Sequence, residues 1–228
     1  MIGTIVNVST ILVGSVVGSI FKKGIKPQYT KSLMNAMGLA ATGIGINSIV
    51  QNMPNSKYPV LFIVSLAVGS LIGNMLDLDK KFNNLIEKSG KTELGKGLST
   101  AILLFCIGSL SILGPINSAL YNDHTYLFTN ATLDLVTSMV LASTYGFGIA
   151  IAAGVLFLWQ GGIYLLATLV GGFMSADMMC EISIVGGFLI ASSGISILEI
   201  KNLKTLNMLP ALLVPPIWFI IMWIISSI

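Results

Sequence analysis

The sequence predicts an all-α, polytopic membrane protein of about eight transmembrane helices, and three observations carry that prediction. First, 54% of the 228 residues are hydrophobic and 9% are charged, with a mean hydropathy of +0.90. Nine acids and twelve lysines are too few to solvate the surface of a soluble domain of this size. Second, the cations lie in clusters, each immediately after a long apolar stretch: Lys22, Lys23, Lys26 and Lys31; Lys80, Lys81, Lys88, Lys91 and Lys96; and Lys201 with Lys204. Only Lys57 stands apart. Short lysine-rich loops are retained on the cytoplasmic side, so all three clusters read as cytoplasmic. Third, the chain matches itself at a long shift, as set out below.

A span needs about 20 mainly apolar residues to cross about 30 Å of hydrocarbon. Eight segments qualify: roughly Ile2 to Ile20, Leu33 to Val50, Tyr58 to Leu76, Leu98 to Leu120, Thr132 to Ile149, Ala152 to Phe173, Ile182 to Ile200 and Met208 to Ile228. The first has no basic segment ahead of it, and its lysines follow it, so it reads as a retained span rather than a cleaved signal. Between the third and fourth, Leu78, Phe82, Leu85 and Ile86 recur at helical spacing opposite Asp79, Lys80, Lys81, Glu87 and Lys88. That pattern suits an amphipathic helix in the cytoplasmic interface, or a solvated connector. Asn117 to Asn130, with the one histidine, His124, reads as the main external loop. Residues 132 to 174 are too long for one span and are divided at Gly146-Phe147-Gly148. This parity puts both termini outside and every lysine cluster inside.

A shift of 151 residues pairs Ala40, Gly43, Ile44, Ile46, Ile49, Pro59 and Leu61 with Ala191, Gly194, Ile195, Ile197, Ile200, Pro210 and Leu212. These are seven identities, against roughly two expected by chance in apolar sequence. A shift of 153 brings Asn7 onto Gln160 and Gly18 onto Gly171. Spans one to three would then correspond to spans six to eight, crossing in opposite directions as an inverted repeat, the arrangement of many secondary transporters. Apolar bias alone is the competing explanation. The chain thus divides into a first repeat (1–76), a cytoplasmic connector (77–97), a central two-helix segment (98–150) and a second repeat (151–228), all within one transmembrane domain.

Polar groups inside spans are costly and therefore mark candidate function. Asp134 stands at the expected outer end of span five, with Ser138 one turn deeper and Ser143 beyond. It is either a cation or proton site or an interfacial carboxylate capping that helix. Gln160 precedes Gly161-Gly162, placing an amide beside bare backbone, and its repeat partner Asn7 is also an amide. The two suit a shared site for a polar substrate or dehydrated ion, or else helix-to-helix hydrogen bonds. Asn207 and Pro210, followed by Pro215-Pro216, begin span eight with a bent or partly unwound segment whose freed carbonyls need partners. Gly14 with Gly18 and Gly69 with Gly73 form GxxxG pairs for close helix packing. Cys106 and Cys180 read as small buried hydrophobes.

The stretches Gly3-Thr4-Ile5-Val6-Asn7, Phe105-Cys106-Ile107-Gly108, Leu133-Asp134, Leu141-Ala142-Ser143, Gly146-Phe147-Gly148, Trp159-Gln160-Gly161 and Asn207-Met208-Leu209-Pro210-Ala211 together resemble the DUF554 family of bacterial integral membrane proteins. Trp159 stands where that pattern more usually has Tyr. The resemblance implies a polytopic protein of the bacterial inner membrane, often described as a possible transporter, with no substrate to carry over.

The reading of the residues is a secondary transporter or ion-coupled carrier for a small polar solute or ion. An oligomeric channel and a membrane assembly or regulatory protein without cargo are the alternatives. The expected partners are the lipid bilayer, the solute or ion, and further copies of the chain. Net charge of +3 follows from topology and does not point to nucleic acid. No Ser/His/Asp arrangement, metal-spacing cluster or phosphate-cradling Gly-Lys loop is present, so neither enzyme chemistry nor a cofactor is expected.

Overall fold

The computed structural model describes residues 1–21, 26–81, 84, 93–107, 109–171 and 175–226, and among these the fold is helical with no strand. The helices are α1 (Ile2–Ile20), α2 (Pro27–Asn52), α3 (Leu61–Met75), α4 (Glu93–Ile107), α5 (Ser109–Tyr121), α6 (Thr125–Tyr145), α7 (Ile151–Val170), α8 (Ala176–Ile197), α9 (Thr205–Met208) and α10 (Val214–Ser226). Short 3-10 turns lie at Met53–Asn55, Phe147–Ala150 and Leu209–Leu213. Of the connector anticipated at 77–97, 78–81, 84 and 93–97 are helical; 82–83 and 85–92, including Phe82, Leu85 and Ile86, lie outside the described residues.

Among the described residues, five stretches are long and apolar enough to cross a membrane: Ile2–Ile20, Lys31–Asn55, Phe147–Val170, Ala176–Ile197 and Thr205–Ile225. Thr100–Cys106 and Leu110–Tyr121, bent by 41°, make a sixth if taken as one broken span. Helix α3 is apolar but only 15 residues long. Helix α6 has 21 residues, but Asn130, Asp134 and its many Ser and Thr residues make it too polar to pass for an ordinary apolar span.

The chain forms two compact units: Met1–Met37 with Lys81–Gly171, and Gly38–Lys80 with Gly172–Ile228. Each expected repeat therefore contributes to both units. In the first unit α1 lies alongside α6 in parallel: Gly3 sits on Leu127, Gly14 on Leu135 and Ser138, and Gly18 on the Met139 backbone. Only a bare backbone fits there, since a Cβ on Gly18 would collide with the Met139 carbonyl. Helix α1 meets α7 in the opposite sense, with Met1 beside Gly161 and Ile11 clustered with Ala152, Ala153 and Leu156. Phe105, Cys106 and Ala142 complete that apolar core.

In the second unit α2 and α8 are antiparallel, with Gly38 on Leu198, Gly45 on Gly187 and Ala191, and the Ser48 hydroxyl donating to the Ser183 carbonyl at 3.0 Å. Helix α3 and the segment from α9 to α10 are antiparallel too: Gly69 sits on Ala211 and Gly73 on the Asn207 backbone, while Tyr58 meets Trp218 and Phe219 edge-to-face.

Three expected boundaries need correction. The segment 117–130 is no loop: α5 runs to Tyr121 and α6 starts at Thr125, leaving a tight link in which Asn122 is left-handed and Asp123 accepts from the Thr125 N–H at 2.9 Å. His124 is tied there by the Ser118 hydroxyl at 2.9 Å. Asp134, expected at the outer end of its span, consequently lies inside α6. Helix α8 begins at Ala176 rather than near Ile182, because Ser175 caps it by accepting from the Met178 N–H and Asp177 occupies its first turn. The division at Gly146 is found as expected: α6 stops at Tyr145, Gly146 takes φ 87°, and a 3-10 turn leads into α7. The last span is not unwound at Pro210: α9, a 3-10 stretch at Leu209–Leu213 and α10 follow one another as one helix, Thr205–Ile225, and Pro215 and Pro216 fall in the first turn of α10, where a missing N–H is tolerated.

Candidate functional site

The first unit holds an unusual set of polar side chains in its interior. Asp134 is 4% exposed, and Asn7 and Gln160 are 0% exposed. Thr4, Ser15, Ser111, Asn130, Ser138 and Ser143 are buried with them. They come from α1, α5, α6 and α7, which pack on one another. Helical spacing explains the placement, since Asn130, Asp134 and Ser138 follow one another at i, i+4 along one face of α6.

Asp134 takes one hydrogen bond on Oδ2, from Asn130 Nδ2 at 2.8 Å, and the Asn7 side chain faces the same carboxyl from α1. The Asn7 amide has no other hydrogen-bond partner among the described residues. Gln160 Nε2 donates to Ser111 Oγ at 3.1 Å, while Gln160 Oε1 has no partner, and neither do the hydroxyls of Thr4 and Ser15. Buried polar groups are nearly always paired, each unpaired one costing about 1–3 kcal/mol. Pro115, inside α5, also lacks the N–H that would engage the Ser111 carbonyl four residues back. Side-chain oxygens without a partner among the described residues thus lie on α1 and α7, with one acid and no lysine among the buried polar groups of this unit.

The remaining expected site residues divide. Ser138 and Ser143 lie on α6 but donate to their own helix, at Leu135 O and Val140 O, and Ser138 also packs on Gly14. Gly161 lies against Met1. Asn207 and Pro210 belong to the second unit. There Asn207 is fully engaged, accepting from the Asp79 N–H and donating to Asn74 Oδ1, both at 2.8 Å. Asn130, Ser111 and Glu181 went unnoticed in the sequence. Glu181 is buried in the second unit, where its Oε1 accepts from the Ser56 hydroxyl at 2.7 Å and the Tyr58 N–H at 3.0 Å. Its i, i+4 relation to Asp177 was the available signal.

Over residues 2–220 the chain matches the family profile described as "Protein of unknown function (DUF554)". It belongs to the DUF554 family. Within that family it is similar to the "Uncharacterized membrane protein YdfK" of Bacillus subtilis (strain 168), 60% identical over 217 residues and 95% of each chain. It is also similar to the "Uncharacterized protein YqgA" of Escherichia coli (strain K12), 30% identical over 224 residues, 93% of this chain and 94% of the other. No solved structure matches. The apolar helices and the name of the Bacillus relative agree that this DUF554 protein is a membrane protein in contact with lipid.

Proposed function

We propose that this DUF554 protein is an ion-coupled secondary transporter of the bacterial inner membrane, carrying a small polar solute or ion past Asp134, Asn7 and Gln160. The observation that supports the reading best is the buried Asp134 faced by an Asn7 amide that has no other partner among the described residues. Such groups in a lipid-embedded helix are expensive unless a transported species or its coupling ion engages them during the cycle. Their chemistry favours a cationic or hydrogen-bond-donating species, because the unpaired atoms are chiefly oxygens beside one acid.

The inverted repeat fits the same reading. Each pair of counterparts, α1 with α7, α2 with α8, and α3 with the segment from α9 to α10, packs within one unit and runs antiparallel. Counterparts related by a two-fold axis in the membrane plane run in opposite directions. The 3-10 stretch around Pro210, inside the span Thr205–Ile225, is a local irregularity of the kind that such carriers use.

Purified protein in liposomes, screened with small polar solutes under sodium and proton gradients, tests the proposal. Concentrative, gradient-driven uptake supports a carrier. Flux simply proportional to driving force instead favours a channel of several copies, and no flux at all favours an assembly or regulatory protein.

A further inference from the structure

The second unit carries a polar cavity, separate from the Asp134 region, of about 250 Å³, lined by Ser70, Asn74, Lys201, Asn202, Lys204 and Asn207 among others. No acid is among its lining residues. Neither lysine makes an ion pair among the described residues.

The hydrogen bonds around the cavity fix which atoms remain free. The backbone N–H of Asp79 can only donate, so the Asn207 atom it meets at 2.8 Å is Oδ1. The other end of that amide, Nδ2, must then donate, and it reaches Asn74 at 2.8 Å; the Asn74 atom receiving it is therefore Oδ1. Asn74 Nδ2 is left as a free donor. The same logic holds for Asn202, whose Oδ1 accepts from the Lys204 N–H at 3.0 Å, leaving its Nδ2 free. Each amide oxygen at this cavity already accepts one hydrogen bond from the protein, while the Asn74 and Asn202 N–H groups, the Ser70 hydroxyl and two ammonium groups are left as donors. Topology alone requires lysines in a cytoplasmic loop, but it does not require the amide oxygens beside them to be turned to the protein's own N–H groups.

We infer that this cavity is an oxyanion site for a phosphate-type group, held by charge-assisted hydrogen bonds from Lys201 and Lys204 with Asn74 and Asn202 as neutral donors. Such a group is presented both by inorganic phosphate and by the headgroup of an anionic lipid.

The test uses the full chain in phosphatidylcholine nanodiscs, with thermal unfolding followed against inorganic phosphate at constant ionic strength and chloride as the control. A second arm replaces part of the phosphatidylcholine with phosphatidylglycerol and omits phosphate. The variants are the double substitution Lys201→Gln with Lys204→Gln, and separately Asn74→Asp. Asp still accepts from Asn207 Nδ2 but puts a negative charge where the free donor was. The expected result is stabilisation by phosphate or by phosphatidylglycerol, weakened at least about tenfold in either variant. Stabilisation by phosphate identifies a soluble oxyanion as ligand, and stabilisation by phosphatidylglycerol alone identifies a lipid headgroup. Absence of both effects, or equal stabilisation of the lysine variant and the unmodified chain, overturns the inference. Unfolding in phosphatidylcholine alone shows that each variant is folded; if Asn74→Asp is not, the lysine variant decides.

Discussion

At the scale of single residues, glycine separates packing from freedom. A Cβ on Gly18 would strike the Met139 backbone, whereas Gly154 has no atom within 4 Å of that position. Gly18→Ala is therefore expected to destabilise the protein by about 1–3 kcal/mol, and Gly154→Ala to stay within about 0.5 kcal/mol, in thermal unfolding of detergent-solubilised protein. An equal response would show that α1 and α6 do not approach as described. Polar residues were partly legible in the sequence. Asp134, Asn7 and Gln160 stood out because an apolar background makes any amide or acid conspicuous. Asn130 did not, because it fell in a stretch read as an external loop, and Ser111 did not, because a serine in a helix ordinarily bonds its own backbone. Ser138 and Ser143 do bond their own helix, and Asn207 and Pro210 belong to the other unit. Residue type alone could not separate these from the Asp134 group.

At the scale of elements, the break at Gly146 was legible and the helix starts were not. Gly146 takes φ 87° and ψ 179°, a conformation that side chains with a Cβ adopt only under strain. Gly146→Ala should cost about 1–3 kcal/mol, read as a lower unfolding midpoint; no change would mean that the junction of α6 and the 3-10 turn relaxes freely. The starts of α6 and α8 were missed because polar first turns resemble loops when hydropathy is the guide. At the head of α8, Lys57 Nζ pairs with Asp177 at 2.6 Å, and the hydrogen bond, then the charge, of Asp177 raise the lysine pKa above its ordinary 10.5. A raised lysine pKa means that the pair's contribution is complete at neutral pH and is lost only as pH rises past 10.5 through the folded-state value. Because Lys57 is exposed to solvent, the contribution is small. Lys57→Gln should lower the midpoint slightly at pH 7 and make no difference in strong alkali. A difference that instead grew above pH 11 would contradict the sign.

At the scale of the whole molecule, the lysine clusters, the 151-residue match and the antiparallel packing of counterpart helices converge on the inverted-repeat reading. Residues of the match lie where helices touch: Ala191 and Gly194 meet Gly45 and Thr42 in the structure. The sequence did not supply the two units, since contacts between segments far apart in the chain are not encoded in any local pattern. The repeat predicts a dual-sided topology that single cysteines can report. Cysteines placed at Lys57 and at Lys204 are expected to react with a membrane-impermeant thiol reagent from opposite faces of the bilayer. Labelling of both from one face would remove the alternating orientation.

The proposal that Asp134 serves a transported cation or solute meets its most direct test in proteoliposomes, once a solute that is taken up has been found. Asp134→Asn keeps the size and the hydrogen bond from Asn130 but removes the ionisable carboxyl, so it should abolish gradient-driven uptake, a loss of about 10²-fold or more, while membrane insertion and unfolding midpoint stay near those of the unmodified chain. Uptake by the Asp134→Asn protein at the unmodified rate, under the same gradient, would contradict the account.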